Sequence, residues 1–446
     1  MKNMEVYYIK FSKLFIIFML LIKLVIAYKD LHLDFPGPYC AQRGAAGCCE
    51  NRKDSCAVPI QGTLCYCDDF CDRGHSGDCC PDYDTYCKNV PPPVPTQRCF
   101  HNGIYINHGQ SLEDNCNHCT CRNGIMECEN DICIQDNDII NNINLIDESL
   151  KWHAKNYSEF WGRKYSEGIK LRLGTFEPSF RVKSQTRLSN RITNIPVEFN
   201  ALNQWSGLLT ENIKDQGWCG SSWVISTTSV ASDRFAIQSK GQEVVDLSAQ
   251  NILSCTRRQQ GCLGGHLDAA WRYLHMKGVV NEECFPYEAH SSHCRTYGIK
   301  SLRQMGCHSS GKVDRDHFYS TGPAYSLNNE TDIQIEIMRS GPVQATMRIY
   351  RDFFSYGGGI YRRSAANRDH DHGFHSVKLI GWGEERHAYQ TTKYWIAANS
   401  WGTWWGEKGY FRVLRGVNEC MIEDYVLASW PHVFNPHVKR VSPYKK

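Results

Sequence analysis

The sequence has no dominant charge. Its 446 residues carry 50 Lys and Arg against 47 Asp and Glu, for a formal net charge of +3. That balance argues against a nucleic-acid partner or a dedicated acidic ligand. With 16 Pro and 35 Gly, neither a collagen nor a disordered chain fits. Beyond the first 27 residues, no apolar run is long enough to cross a bilayer, so the chain reads as not membrane-spanning. The Arg-Gly-Asp adhesion tripeptide is absent. Hydrophobic residues still make up 41%, enough to bury a core, and the length suits two or more domains of ~100–200 residues each.

Cysteine is what the chain has in excess, at 23 residues. Cytosolic enzymes rarely carry so many thiols, which sets a cytoplasmic metabolic role aside. The first residues are consistent with an oxidising destination. Lys2, Lys10 and Lys13 precede an apolar run from Leu14 to Ile26, broken only by Lys23, and Val25-Ile26-Ala27 is a small-residue cleavage site. A secretory signal peptide is expected over residues 1–27, with a mature chain in the extracellular space or matrix. A signal anchor is the alternative, but the run is short for a span of ~20 residues. Asn156-Tyr-Ser158 and Asn329-Glu-Thr331 are glycosylation sequons, usable only in a secreted chain.

The cysteines divide the chain into three parts. The first block holds ten, at 40, 48, 49, 56, 65, 67, 71, 79, 80 and 87. A segment this small and polar cannot build an adequate apolar core, so disulfides must hold it, with a pairing that sequence does not reveal. Its run Cys65-Tyr-Cys67-x3-Cys71, then Cys79-Cys80 and Cys87, resembles the somatomedin B module with one additional pair, assigned to residues 36–90. That resemblance implies a disulfide knot used for protein–protein contact. Residues 91–98, beginning Pro91-Pro-Pro-Val-Pro95, are a semi-rigid polyproline spacer. The second block, 99–135, has six cysteines around Cys116-Asn-His-Cys119-Thr-Cys121. Zinc would suit C-x2-C with His118. The even count and the oxidising compartment favour disulfides, so no metal and no cofactor are assigned. This block is similar to a truncated von Willebrand factor C module. A polar stretch follows from Gln135 to Asn144. Then Ile146, Leu150, Tyr157, Trp161, Tyr165 and Ile169 recur at spacings near four, predicting one apolar helical stripe.

The chemistry is carried by the third part, residues 196–432. Gln216-Gly-Trp-Cys219-Gly-Ser-Ser222-Trp223 is followed by Gly373-Phe-His375 and by Tyr394-Trp-Ile-Ala-Ala-Asn399-Ser-Trp401-Gly402. A papain-type nucleophile motif is followed by its His and Asn ~130–150 residues on or somewhat further, and all three motifs stand here in order. The region from about 145 to 432 resembles the papain family, cathepsin B above all. Ser232-Asp-Arg234, Leu247-Ser-Ala-Gln250, Gly261-Cys-Leu-Gly-Gly265, Cys284-Phe-Pro-Tyr287 and Ser340-Gly-Pro-Val343 support the resemblance. It implies an α+β fold: a papain-like two-lobed domain with a helical left lobe and a β-barrel-like right lobe, preceded by small disulfide-rich modules. It also implies that residues 137–195 correspond to the propeptide, which in the peptidases covers the cleft until it is cleaved.

One position departs from the pattern. Where the family has its nucleophilic cysteine, this chain has Ser222. A thiol next to histidine can ionise near ~3–4, whereas a serine hydroxyl forms no such ion pair and needs His375 to remove its proton during attack. Removing a triad nucleophile costs on the order of 10⁶-fold in rate, roughly 8 kcal/mol of barrier. The resemblance gives the other residues their roles. Gln216 is the side-chain donor of the oxyanion hole, Asn399 orients His375, and Trp401 shields that contact. Ser222 opens a helix through about Gln238. Gly264 and Gly265 form the glycine-rich subsite wall, where absent side chains permit close backbone approach. Tyr425 stands near the position at which cathepsin B has an acidic residue for a basic side chain. His290 and His293 are not adjacent, so the occluding loop behind cathepsin B's carboxydipeptidase action is reduced. A Cys219–Cys262 disulfide is implied, with two more among Cys255, Cys284, Cys294 and Cys307, and Cys420 left over. The tail, 433–446, ends in Lys439-Arg440 and Lys445-Lys446 and reads as a solvated terminus.

Taken together, this order of parts resembles the tubulointerstitial nephritis antigen family. That resemblance implies a secreted matrix or basement-membrane glycoprotein whose peptidase domain does not cut, with laminin, collagen IV and integrins as the partner class. Two competing readings remain: a weakly active serine-variant peptidase using Ser222, His375 and Asn399, and a decoy that binds peptides or inhibitors in a dead cleft.

Overall fold

The computed structural model describes residues 37–434 apart from 61, 74–77, 91–97, 147–150, 179–184, 187–193, 210–211, 308–311, 328, 366–371 and 388–389. The expected signal peptide, most of the proline spacer, the basic tail from 435 on and Leu150 of the apolar stripe lie outside the described residues. The chain divides into two compact units, residues 1–110 with 121–126, and residues 111–120 with 127–446. The division passes through the second cysteine block.

The first unit is held by sulfur. Five disulfides, Cys40–Cys67, Cys48–Cys87, Cys49–Cys56, Cys65–Cys80 and Cys71–Cys79, close the first block. Its buried centre is five cysteines with Val58 and Tyr83, so cross-links replace the apolar mass that so short a segment lacks. Cys99–Cys121 closes a hairpin of Cys99–His101 and Ile104–Ile106. In the second unit Cys116–Cys133 and Cys119–Cys128 complete the block. With both cysteines of its C-x2-C pair oxidised, the block has no thiolates there to offer zinc.

The rest of the second unit is mixed helix and sheet. Its helical lobe is built on α1 (Ser222–Gln238), α2 (Ala249–Cys255) and α3 (Leu267–Met276). In α3, Leu267, Ala270, Trp271 and Leu274 are buried, one stripe at helical spacing. Helix α1 is buried nearly all round, yet rich in Ser and Thr. Those hydroxyls are satisfied within the helix: Ser226, Thr227, Thr228 and Ser232 each donate to the carbonyl four residues earlier.

The sheet lobe uses β1 (Trp152–Ala154), β2 (Val343–Ile349), β3 (Tyr356–Tyr361), β4 (Gly373–His387), β5 (Gln390–Ala398), β6 (Tyr410–Leu414) and β7 (Val426–Ala428). They run in the order β1-β3-β6-β5-β4-β2-β7, extended by Tyr325–Leu327 and Gln185–Thr186, with Phe199–Asn200 pairing β4 from the side. Strand β4 is covered on both faces. Val377 and Leu379 belong to the sheet-lobe core, whereas Ser376 and Lys378 face α1, where Lys378 Nζ meets Asp233 Oδ2 at 2.6 Å. This alternation turns His375 away from the side on which Ser376 and Lys378 bond α1.

The stripe from Ile146 to Ile169 is not one helix. Among the described residues of this stretch, helical geometry is confined to short pieces at Asn137–Ile146 and Tyr165–Leu173, and β1 lies between them. Trp152 and Ala154 are buried and His153 is exposed, a period of two, because the segment adds an antiparallel edge to β3. Ile134, Ile139, Ile140, Ile143, Trp152, Tyr157, Phe160, Tyr165 and Leu173 all belong to the core cluster of the sheet lobe. These side chains between Ile134 and Leu173 are therefore part of that lobe's interior.

Candidate active site

Three local structures bring the motif residues together. Cys219–Cys262 ties the loop before α1 to the Gly261–Gly265 wall, where Gly220 N–H also donates to Cys262 O at 2.7 Å. Tyr287 braces the same loop. Its hydroxyl donates to Gln216 O at 2.9 Å and lies 2.5 Å from Ser221 Oγ, and burial pushes its pKa up to about 12. Ser222 is the first residue of α1. His375 lies on β4 opposite Met347, and Asn399 directly follows β5, the strand paired with β4.

His375 and Asn399 are bonded, Nε2 to Oδ1, at 2.7 Å. Asn399 Oδ1 also accepts the Ser400 backbone N–H at 2.8 Å, which fixes the amide's orientation. His375 therefore carries its proton on Nε2, and Nδ1 bears the lone pair. Nδ1 makes no hydrogen bond of good geometry with the described residues, although the Leu173 backbone beside the ring acts to raise its pKa. The ring is fully buried, and this burial pulls its pKa down to about 4, against the opposing bond to Asn399. Trp401 covers the ring at a centroid distance of 5.2 Å.

The cleft is filled by the chain itself. Residues Arg172–Phe176 run between the two walls. Gly265 N–H donates to Gly174 O at 3.0 Å, Phe176 N–H to Gly265 O at 3.0 Å, and Thr175 N–H to Phe374 O at 3.2 Å. Gly174 has φ +98°, and a Cβ there would stand 2.0 Å from the Gly220 backbone. Gly264 also approaches the segment closely, since its Cβ would meet the Phe176 ring at 2.6 Å. Gln216 spends its amide on this segment and its own loop, donating to Arg172 O at 3.0 Å and to Cys219 O at 2.9 Å. Trp401 Nε1 also donates to Arg172 O, at 2.7 Å. Arg172 is anchored by Asp215 at 3.1 Å and Gly217 O at 2.8 Å, with the Phe160, Trp218 and Trp404 rings around its guanidinium. Ser222 is fully buried beneath this segment, its Oγ 2.9 Å from Thr175 Oγ1.

Gln216, Ser222, Trp401, Gly264 and Gly265 thus all touch one peptide, and Asn399 is joined to the site through His375. Tyr425 packs against the helical-lobe core, with its pKa raised to about 12 by burial. Asn156 and Asn329 are exposed, Asn329 as the cap of helix Glu330–Ser340. Cys255–Cys294 and Cys284–Cys307 are the remaining disulfides, and Cys420 is the free cysteine among the described residues. Sequence reasoning missed Thr175, Arg172 and Ser376. The hydroxyl beside His375 was visible in the sequence, but nothing in it pairs Thr175 with Ser222.

Residues 195–430 match the family described as papain family cysteine protease. The chain is 43% identical over 432 residues to tubulointerstitial nephritis antigen-like of Mus musculus, covering 90% of this chain and 91% of that protein. It is 41% identical over 424 residues to tubulointerstitial nephritis antigen of Homo sapiens, covering 89% and 87%. Among solved structures, procathepsin B S9 from Trypanosoma congolense superposes with a TM-score of 0.57 at 28% identity, covering 67% of this chain and 99% of that one.

Proposed function

Because the chain belongs to the tubulointerstitial nephritis antigen family and carries a papain-like domain, we propose that it is a secreted matrix-interaction glycoprotein whose peptidase fold does not cut. The observation that carries the non-peptidase reading is Ser222. It replaces the nucleophilic sulfur and lies buried against Thr175 of the chain's own segment, while His375 Nδ1 receives no hydrogen bond. A serine needs a base within hydrogen-bond reach to become a nucleophile, and this one is bonded elsewhere. The occupied cleft equally disfavours a decoy, since the walls that would hold a foreign peptide already hold residues 172–176.

Secretion is supported by eleven disulfides among the described residues. The asparagines of both sequons are exposed, and no helix among the described residues is long and apolar enough to cross a membrane. Matrix binding rests on the family and on the disulfide-rich modules, with laminin, collagen IV or an integrin as partner. The test uses intact protein purified from the medium of secreting cells. It should leave fluorogenic peptides uncut from mildly acidic to neutral pH and bind at least one of immobilised laminin, collagen IV and an integrin ectodomain. Turnover that disappears on His375→Ala would establish the serine-peptidase reading instead. Absence of binding to all three would remove the partner assignment.

A further inference from the structure

We propose that Ser222 is a peptide-binding residue, whose hydroxyl holds the chain's own Thr175 in the cleft through a proton-ordered chain of hydroxyls. This inference rests on the non-peptidase reading of the site. The order follows from counting protons, one per hydroxyl. Trp271 Nε1, which can only donate, bonds Gln344 Oε1 at 2.6 Å, so the amide nitrogen faces the other way. Gln344 Nε2 donates to Ser226 Oγ at 2.6 Å, and Ser226 gives its own proton to Ser222 O at 2.6 Å. The 2.9 Å contact between Ser226 and Ser376 must then run from Ser376. Thr175 donates to Ser376 Oγ at 2.8 Å. The 2.9 Å contact between Ser222 and Thr175 must therefore run from Ser222.

The proton a serine peptidase would hand to histidine is committed to Thr175, and the hydrogen bond His375 makes runs to Asn399. All five members, Thr175, Ser222, Ser226, Gln344 and Ser376, are buried, where an unmade hydrogen bond is costly. The segment they hold is a built-in ligand, and α3 sets the polarity of its binding site through Trp271. A thiol at 222 is a weak donor on a longer bond and completes the chain poorly. Restoring cysteine thus weakens the grip on the segment without clearing the cleft.

The test compares Thr175→Val, Thr175→Ser, Ser222→Cys and the double variant Ser222→Cys/Thr175→Val in the full secreted chain. One readout is hydrogen exchange of residues 172–177. The other is iodoacetamide alkylation mapped by peptide mass, which separates position 222 from Cys420. Thr175→Val should speed exchange of this segment about tenfold, and Thr175→Ser should restore protection. Alkylation at 222 should be at least about tenfold faster in the double variant than in Ser222→Cys. Unchanged exchange in Thr175→Val, or equal alkylation in the two cysteine variants, would overturn the proposal. Peptide hydrolysis by the unaltered protein would instead overturn the non-peptidase reading, so the two failures are distinguishable.

Discussion

At the scale of single residues, the fate of one imidazole proton gives the site a pH signature. Burial lowers the pKa of His375 from an ordinary value near 6.5 to about 4. Between those values the unfolded chain binds a proton that the folded chain refuses, so stability contributed by this residue is present above the upper value and is lost as pH falls through the window. Equilibrium unfolding should therefore show stability declining from about pH 6.5 to about pH 4, and His375→Gln should flatten that decline. An unchanged pH profile in the variant would mean that the ring is not held neutral by its surroundings. Ser222, His375, Asn399, Gln216 and Trp401 were legible in the sequence because each sits in a contiguous motif with its own local geometry. Thr175 was not. Its partners Ser222 and Ser376 belong to α1 and β4, and a hydroxyl's partner is chosen by the tertiary packing of elements distant in sequence.

At the scale of elements, the described residues from 137 to 173 form a strand and two short helical pieces docked into a lobe. Spacings near four suggested a helix, but β1 buries alternate residues against β3, because an unpaired sheet edge outweighs a weak helical pattern. Phe160 shows what this docking contributes. It is fully buried, with edge-on contacts to Phe354 at 5.3 Å and to Trp401 at 5.7 Å, the ring that covers His375. Phe160→Ala should cost about 3–5 kcal/mol in denaturant unfolding. A loss within experimental error would show that the segment only rests on the lobe. Gly174 offers a different test of the same element. Its positive φ and the 2.0 Å approach to Gly220 leave no room for a methyl group. Gly174→Ala should lift residues 172–177 from the cleft, seen as faster exchange there with the core amides of β4 and β5 still protected. The fold class was legible because the three peptidase motifs carry it. The course of residues 137–177 was not, since it depends on which sheet edge is free.

At the scale of the whole molecule, the two units depend on different forces and should fail separately. Five disulfides hold residues 40–87 around a buried centre made mostly of sulfur. The papain-like part has two large apolar cores and three disulfides, all on the helical lobe and its flanking loops. Mild reduction should make the first block protease-sensitive while the two apolar cores of the papain-like part remain protected. Simultaneous loss of both would mean that the cores are insufficient without cross-links. The same contrast decides what a cut would do after the cleft segment. A lid that touches only a surface dissociates once severed, because it must then recover the freedom lost on binding, roughly 4–15 kcal/mol. Residues 134–173 supply nine large side chains to the sheet-lobe core, each contributing about 1.5–3 kcal/mol on burial. Arg351 adds a hydrogen bond to Cys133 O at 2.6 Å and an ion pair with Asp136 at 2.9 Å. With residues 187–193 replaced by a site-specific protease sequence and then cleaved, the two pieces should co-elute on gel filtration and remain together on dilution. If the amino-terminal piece instead separates and the cleft opens, the segment is a removable lid, and a non-cutting role would have to rest on Ser222 alone.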